Sequence, residues 1–236
     1  MNNEHILRAF DRDLEAVQAM IMKMGGLVET ALADAARAVD TLDEVLADQV
    51  RAGDAAIDAL EEQVNAECAR LIALRAPMGT DLRMVLSVMK IASNLERCGD
   101  YAKNLAKRSK VLSGLQPLPG ATGSLKRMAK AVGLLLKDSL DAFIARDGGL
   151  AAEVRLRDHE IDQMYNALFR ELLTHMLEDS RTITSAMQLH FIAKNVERVG
   201  DHATTIAEQV IYMTTGSLPA DARPKVDAVA GLGGQV

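Results

Sequence analysis

An all-α fold, built as two tandem homologous three-helix bundles, is predicted by three features of the sequence. Aromatic residues make up only 3% of the 236 positions, Trp is absent and Pro occurs five times. A single Pro/Gly/Ser-rich break, residues 113–124 (SGLQPLPGATGS), divides the chain almost in half. Two sequence blocks recur in the same order on either side of that break.

The composition favours helix because Ala, Leu, Met and Val dominate the 49% of hydrophobic residues, while the aromatics that favour strands are scarce. A chain of this length buries enough apolar surface to fold without staples. Its two cysteines, Cys68 and Cys98, lie in helical patterns without Cys-x-x-Cys spacing and read as small buried hydrophobes.

The first helix is expected over residues 6–39 and the second over 43–74, with an irregularity at Gly53. After the stop signal Ala76-Pro77-Met78-Gly79, Thr80 is read as the N-cap of a third helix ending near residue 112. The second half repeats this order over residues 125–145, 150–177 and 182–215. The expected organisation is therefore a bundle over residues 5–112, a linker over 113–124, a second bundle over 125–216 and a flexible tail over 217–236.

Internal duplication supports that division. Residues 43–58 (DEVLADQVRAGDAAID) match residues 147–162 (DGGLAAEVRLRDHEID) at eight of sixteen positions, offset by 104. Residues 91–107 match residues 192–208 at nine of seventeen positions, offset by 101, and both contain Glu-Arg-x-Gly-Asp. Shared helical composition explains one such block, not two in order.

A net charge of -6 and a pI near 5.4 argue against nucleic acid as the main partner, since phosphate-backbone binding needs concentrated Lys and Arg. The basic clusters Lys103, Lys107, Arg108, Lys110 and Lys126, Arg127, Lys130 are read as solvated helix faces. The charged N-terminus lacks the apolar core of a signal peptide, and the longest apolar run, residues 131–136, falls far short of the ~20 residues that span a bilayer. A cytoplasmic location is expected, with at most peripheral membrane association.

Paired acids carry the chemistry. Glu96 and Asp100, like Glu197 and Asp201, are spaced i, i+4 in the third helix of each half, and Asp54 with Asp58 and Asp158 with Asp162 repeat the device in the second. Residues four apart share a helix face, and helical phase puts Glu96 and Asp100 at the margin of the apolar stripe. Like charges so placed cost a helix roughly 0.2–0.5 kcal/mol, a penalty that a bound cation reverses. For one pair, ion pairing with Arg97, Arg198 or nearby lysines is the better reading; four pairs at corresponding positions favour metal binding. Gly99 and Gly200, inside helices, add the expectation of a close approach. His159 and His202 directly follow proposed ligands, point about 100° away from them and are read as solvent-facing or outside the ligand set.

The stretches TDLR (80–83), NLERCGDYA (94–102) and ERVGDHATTIAEQV (197–210) resemble the PhoU family of phosphate transport regulators, and the similarity runs from about residue 8 to residue 216. The resemblance implies multinuclear metal sites, iron or zinc, held by paired acids on adjacent helices; other hard divalent cations also suit such donors. By position the ligands fall on Asp54, Asp58, Glu96 and Asp100 in the first half and on Asp158, Asp162, Glu197 and Asp201 in the second. It further implies negative regulation of phosphate-starvation genes by coupling the ATPase of a phosphate ABC transporter to a sensor histidine kinase, and a homodimer is expected.

Two rival readings compete with this one. A ferritin-like carboxylate metalloenzyme requires Glu-x-x-His motifs, which this chain does not contain. The Gly-x-Ser-x-Gly and phosphate-loop signatures are absent as well, so no catalytic role is expected. A metal-free helical scaffold, its acids serving only as docking surfaces, is separated from the metal reading by elemental analysis.

Overall fold

The computed structural model describes residues 2–118 and 120–219, with side chains from residue 10 onward. Among these described residues six helices follow in order: α1 (Asn2–Thr41), α2 (Glu44–Arg75), α3 (Thr80–Leu112), α4 (Ala121–Ala145), α5 (Gly148–Glu178) and α6 (Ile183–Thr215), with one 3-10 turn at Ser180–Thr182. Among the described residues there is no strand, and the predicted all-α class holds. Most of the expected tail, residues 220–236, lies outside the described residues.

The turn between the first two helices of each half is itself duplicated. Leu42 (φ 54°) and Arg146 (φ 51°) occupy the left-handed region at equivalent positions. Each is followed by an aspartate that caps the next helix. The Asp43 carboxylate accepts from the Leu46 amide at 2.9 Å; that of Asp147 accepts from Gly149 at 2.8 Å and Leu150 at 3.0 Å.

Three local expectations are corrected. Gly79 (φ 59°), not Thr80, takes the N-cap position of α3, and Thr80 is its first helical residue. Helix α4 starts at Ala121 rather than at residue 125, because Gly120 (φ 89°) makes the turn and lets residues 121–124 wind as its first turn. Helix α2 runs unbroken through Gly53, and nothing lies within 4 Å of where a Cβ there would stand. Gly53→Ala should therefore stabilise the fold by about 0.5–1 kcal/mol, seen as a higher urea midpoint; a lowered midpoint would contradict an undistorted α2.

The core is aliphatic, centred on residues such as Ile21, Leu32, Ile91, Leu95, Leu135 and Leu136. Helix α1 packs on α2 and α3, α4 packs on α5 and α6, and the halves join through α3 against α6 and α1 against α4. The central pair is antiparallel: Arg108, late in α3, donates to Gln188, early in α6, at 2.9 Å, while Gly216, just past α6, lies beside Arg83, early in α3. Tyr101 and His202, equivalent residues of the two repeats, meet with ring centroids 5.6 Å apart. Contact between equivalent positions is the mark of a two-fold relation, here between the halves of one chain.

Candidate metal centre

The second and third helices of each half pack side by side, which brings their acidic pairs to one seam. In the first half Asp54 sinks to 4% exposure, Glu96 and Asp100 are half-buried, and Asp58 stays exposed. The four carboxylates sense one another. Desolvation and then Asp100 raise the pKa of Glu96, with Asp58 adding to the effect; desolvation and then Asp54 raise that of Asp58, with Asp100 adding. In the second half Asp158 and Glu197 are each 8% exposed, and Asp162 and Asp201 are half-buried.

Glu96 and Asp100 thus lie at the margin of the core, as helical phase predicts, whereas Asp54, Asp158 and Glu197 are buried. Gly99 and Gly200 explain how α2 and α5 come so close. A Cβ on Gly99 would stand 3.0 Å from Ile57 Cδ1 and 3.5 Å from Asp54 Oδ1, and one on Gly200 would stand 3.4 Å from Asp158 Oδ1. The glycines bring the buried aspartate of the neighbouring helix against the backbone of the third helix.

Cations also reach these acids. Lys103 donates to Asp54 Oδ2 and lies 3.9 Å from Asp100; Arg97 lies 3.6 Å from Glu96 and 3.5 Å from Asp100. In the second half Lys194 donates to Glu197 Oε1 at 2.7 Å. Arg198, expected as a partner for the acids, stacks over the Tyr101 ring at 5.7 Å. Two buried oxygens, Asp54 Oδ1 and Glu197 Oε2, accept no hydrogen bond. As the side chains stand, no three His, Cys, Asp or Glu among the described residues converge in a metal-holding arrangement. The donor set nevertheless fits a hard cation: it is all carboxylate oxygen, and one buried oxygen in each half lacks the partner that burial demands.

Burial is the main cause that lifts the Glu197 pKa above its ordinary 4.5; Lys194 opposes this, and Asp201 and Asp162 reinforce it. Because the folded state holds this proton more tightly than the unfolded state, the destabilisation is absent below the ordinary glutamate range and sets in as pH rises through the raised value. In chelator-treated protein Glu197→Gln should melt above wild type at neutral pH, and the gap should close near pH 4. A gap unchanged across that range would contradict this burial effect.

Other residues depart from their expected roles. His202 is half-buried between the halves, not solvent-facing, its Nδ1 2.7 Å from Asn94 Oδ1. The first basic cluster is not a uniformly solvated face: Lys103 enters the carboxylate seam, Lys110 pairs with Asp48 at 2.7 Å, and Arg108 caps the Phe191 ring at 4.5 Å. Lys126 of the second cluster pairs with Asp40 at 2.6 Å. Cys68 and Cys98 are free and buried as expected, and burial pushes the Cys68 thiol up to about 11. Sequence spacing misses the long-range lysine contacts because they are tertiary: Lys103 meets Asp54, 49 positions earlier in the chain.

The fold and seam define a duplicated three-helix-bundle protein whose halves carry matching carboxylate clusters. The PhoU domain model matches residues 21–109 and again 125–210, one copy per half. The phosphate-specific transport system accessory protein PhoU homolog of Caulobacter vibrioides is 44% identical over 227 residues, covering 96% of this chain and 99% of its own length. The homolog of the same name in Rhizobium meliloti is 43% identical over 233 residues, covering 99% and 98%. Crystal structures agree: PhoU from Pseudomonas aeruginosa superposes with a TM-score of 0.85 at 37% identity, over 88% of this chain and all of that one. The phosphate transport system regulatory protein PhoU from Streptococcus pneumoniae superposes at 0.81 with 30% identity, over 89% and 99%. The chain belongs to the PhoU family.

Proposed function

We propose that this protein is a non-enzymatic, metal-binding regulator of phosphate uptake. It restrains phosphate-starvation genes by coupling the ATPase subunit of a phosphate ABC transporter to a sensor histidine kinase. The observation that carries this reading is the end-to-end similarity to relatives named as accessory or regulatory proteins of phosphate transport. The carboxylate seams supply the metal part: Asp54, Asp58, Glu96 and Asp100 would hold iron, zinc or another hard cation in the first half, and Asp158, Asp162, Glu197 and Asp201 in the second. Bound there, the cation would neutralise carboxylates that now repel one another, and the chain's own residues would set its position through α2 with α3 and α5 with α6.

Coupling two partners needs more than one docking face. A 33-residue helix such as α3 extends about 50 Å at ~1.5 Å per residue, long enough to present separate faces along its length. The protein acts in the cytoplasm as a homodimer, touching the membrane at most from its surface; no helix among the described residues is long and apolar enough to cross one. The test is a deletion strain carrying a starvation-gene reporter, with the kinase present and then absent. Expression in rich phosphate that depends on the kinase is the expected result. Sustained repression, or equal induction without the kinase, would overturn the reading.

A further inference from the structure

The two carboxylate seams are related by duplication, but the lysines that enter them are not. Lys103, three residues after Asp100 on α3, reaches across to Asp54 on α2 and ties the two helices together. Its counterpart in the second repeat is Thr204, which instead donates to the Gly200 carbonyl at 3.0 Å. Lys194, three residues before Glu197, binds that glutamate within α6 and lies 5.0 Å from the Tyr165 ring; its counterpart in the first repeat is Ser93, which carries no charge. Each ammonium engages one oxygen of a buried carboxylate whose other oxygen has no hydrogen-bond partner.

We infer that Lys103 and Lys194 are built-in competitors for the metal, each holding a ligand oxygen that a cation must take over, so that the two seams bind metal with different affinities. The inference rests on the carboxylate-site reading. An ammonium is a single positive charge on a flexible stem, and both lysines are about two-fifths exposed, so each can swing into water when a divalent ion takes its place. The exchange is not equivalent at the two seams. Releasing Lys103 breaks an ion pair between α2 and α3, whereas releasing Lys194 breaks an ion pair one turn away on the same helix and, between helices, only the weaker contact with the Tyr165 ring of α5. The second seam is therefore the one to fill first.

The experiment is zinc titration of the full-length, chelator-stripped protein against a chromophoric chelator, with the second seam silenced by Glu197→Ala and Asp201→Ala. In that background Lys103→Met should bind zinc about tenfold more tightly, the equivalent of one lost charge-assisted hydrogen bond. Lys103→Thr, which installs the residue of the other repeat, should do the same. Lys107→Met, which removes an exposed charge one turn further along α3, should leave the affinity unchanged. With the first seam silenced instead, Lys194→Met should tighten the second. A parent protein that binds zinc while Lys103→Met and Lys103→Thr bind it no more tightly overturns the competition. So does an equal gain from Lys107→Met, which would reduce the effect to long-range charge. A parent that binds no zinc at either seam overturns the carboxylate-site reading itself.

Discussion

Phe143→Ala is expected to destabilise the protein by about 3–5 kcal/mol, the usual range for deleting a buried phenyl ring. Phe143 is 1% exposed in α4 and is among the largest fully buried side chains of a core whose only other buried aromatic, among the described residues, is Phe10 at 7%. Only four Phe and three Tyr occur in the chain, so little else in the core matches its volume. Side chains packed at interior density do not collapse readily into such a cavity. The measurement is urea unfolding, in which the midpoint should fall while the slope stays near wild type. A loss below about 1 kcal/mol would show that this end of α4 repacks.

The largest functional effect is expected from removing the paired acids of the third helices. Glu96→Ala with Asp100→Ala should abolish metal binding in the first half and leave the second intact, and Glu197→Ala with Asp201→Ala should do the reverse. Neither change should unfold the protein. Glu96 and Asp100 are half-buried and their loss fills nothing apolar with charge. Glu197 is buried and carries a raised pKa, so its removal also lifts a desolvation penalty, although it strands the Lys194 ammonium. Elemental analysis of protein purified without chelator or affinity-column metal, paired with circular dichroism, reads both halves. Unchanged metal in both double variants would refute the carboxylate sites.

Much of the fold was legible because its punctuation is local. Pro77, Gly79 and the break at residues 113–124 stop helices for reasons that act within a few residues, whereas the capping role of Asp147, which starts α5 at Gly148 rather than at residue 150, emerges only from the structure. The start of α4 was not legible, since Ala-Thr-Gly-Ser is loop-like in composition and only the positive φ of Gly120 turns it into a helical first turn. At the candidate site, spacing identified the eight acids but not their depth. Helical phase puts Glu96 and Asp100 at a margin, where both are half-buried, but it assigns no depth to the acids of the second helices, and it is the approach of α2 to Gly99 and of α5 to Gly200 that buries Asp54 and Asp158. The i,i+3 spacing of Lys194 with Glu197 and of Lys103 with Asp100 is visible in the sequence, whereas the tie from Lys103 to Asp54 on the neighbouring helix follows from tertiary packing and leaves no mark in spacing. Of the two places that helical phase allows His202, solvent or a position outside the ligand set, the structure takes the second: it packs against Asn94 and Tyr101 of the first bundle, which phase within its own bundle does not reveal.

Whether the carboxylate seams serve phosphate regulation is decided by one complementation measurement. A deletion strain with a starvation-gene reporter is complemented by wild type or by the fourfold variant Glu96→Ala, Asp100→Ala, Glu197→Ala and Asp201→Ala, expressed at equal levels and confirmed as helical. In rich phosphate wild type should restore repression and the folded, metal-free variant should leave the reporter expressed. Full repression by that variant would contradict the claim that the acids serve the regulator, and would leave its helical surfaces alone to carry the function.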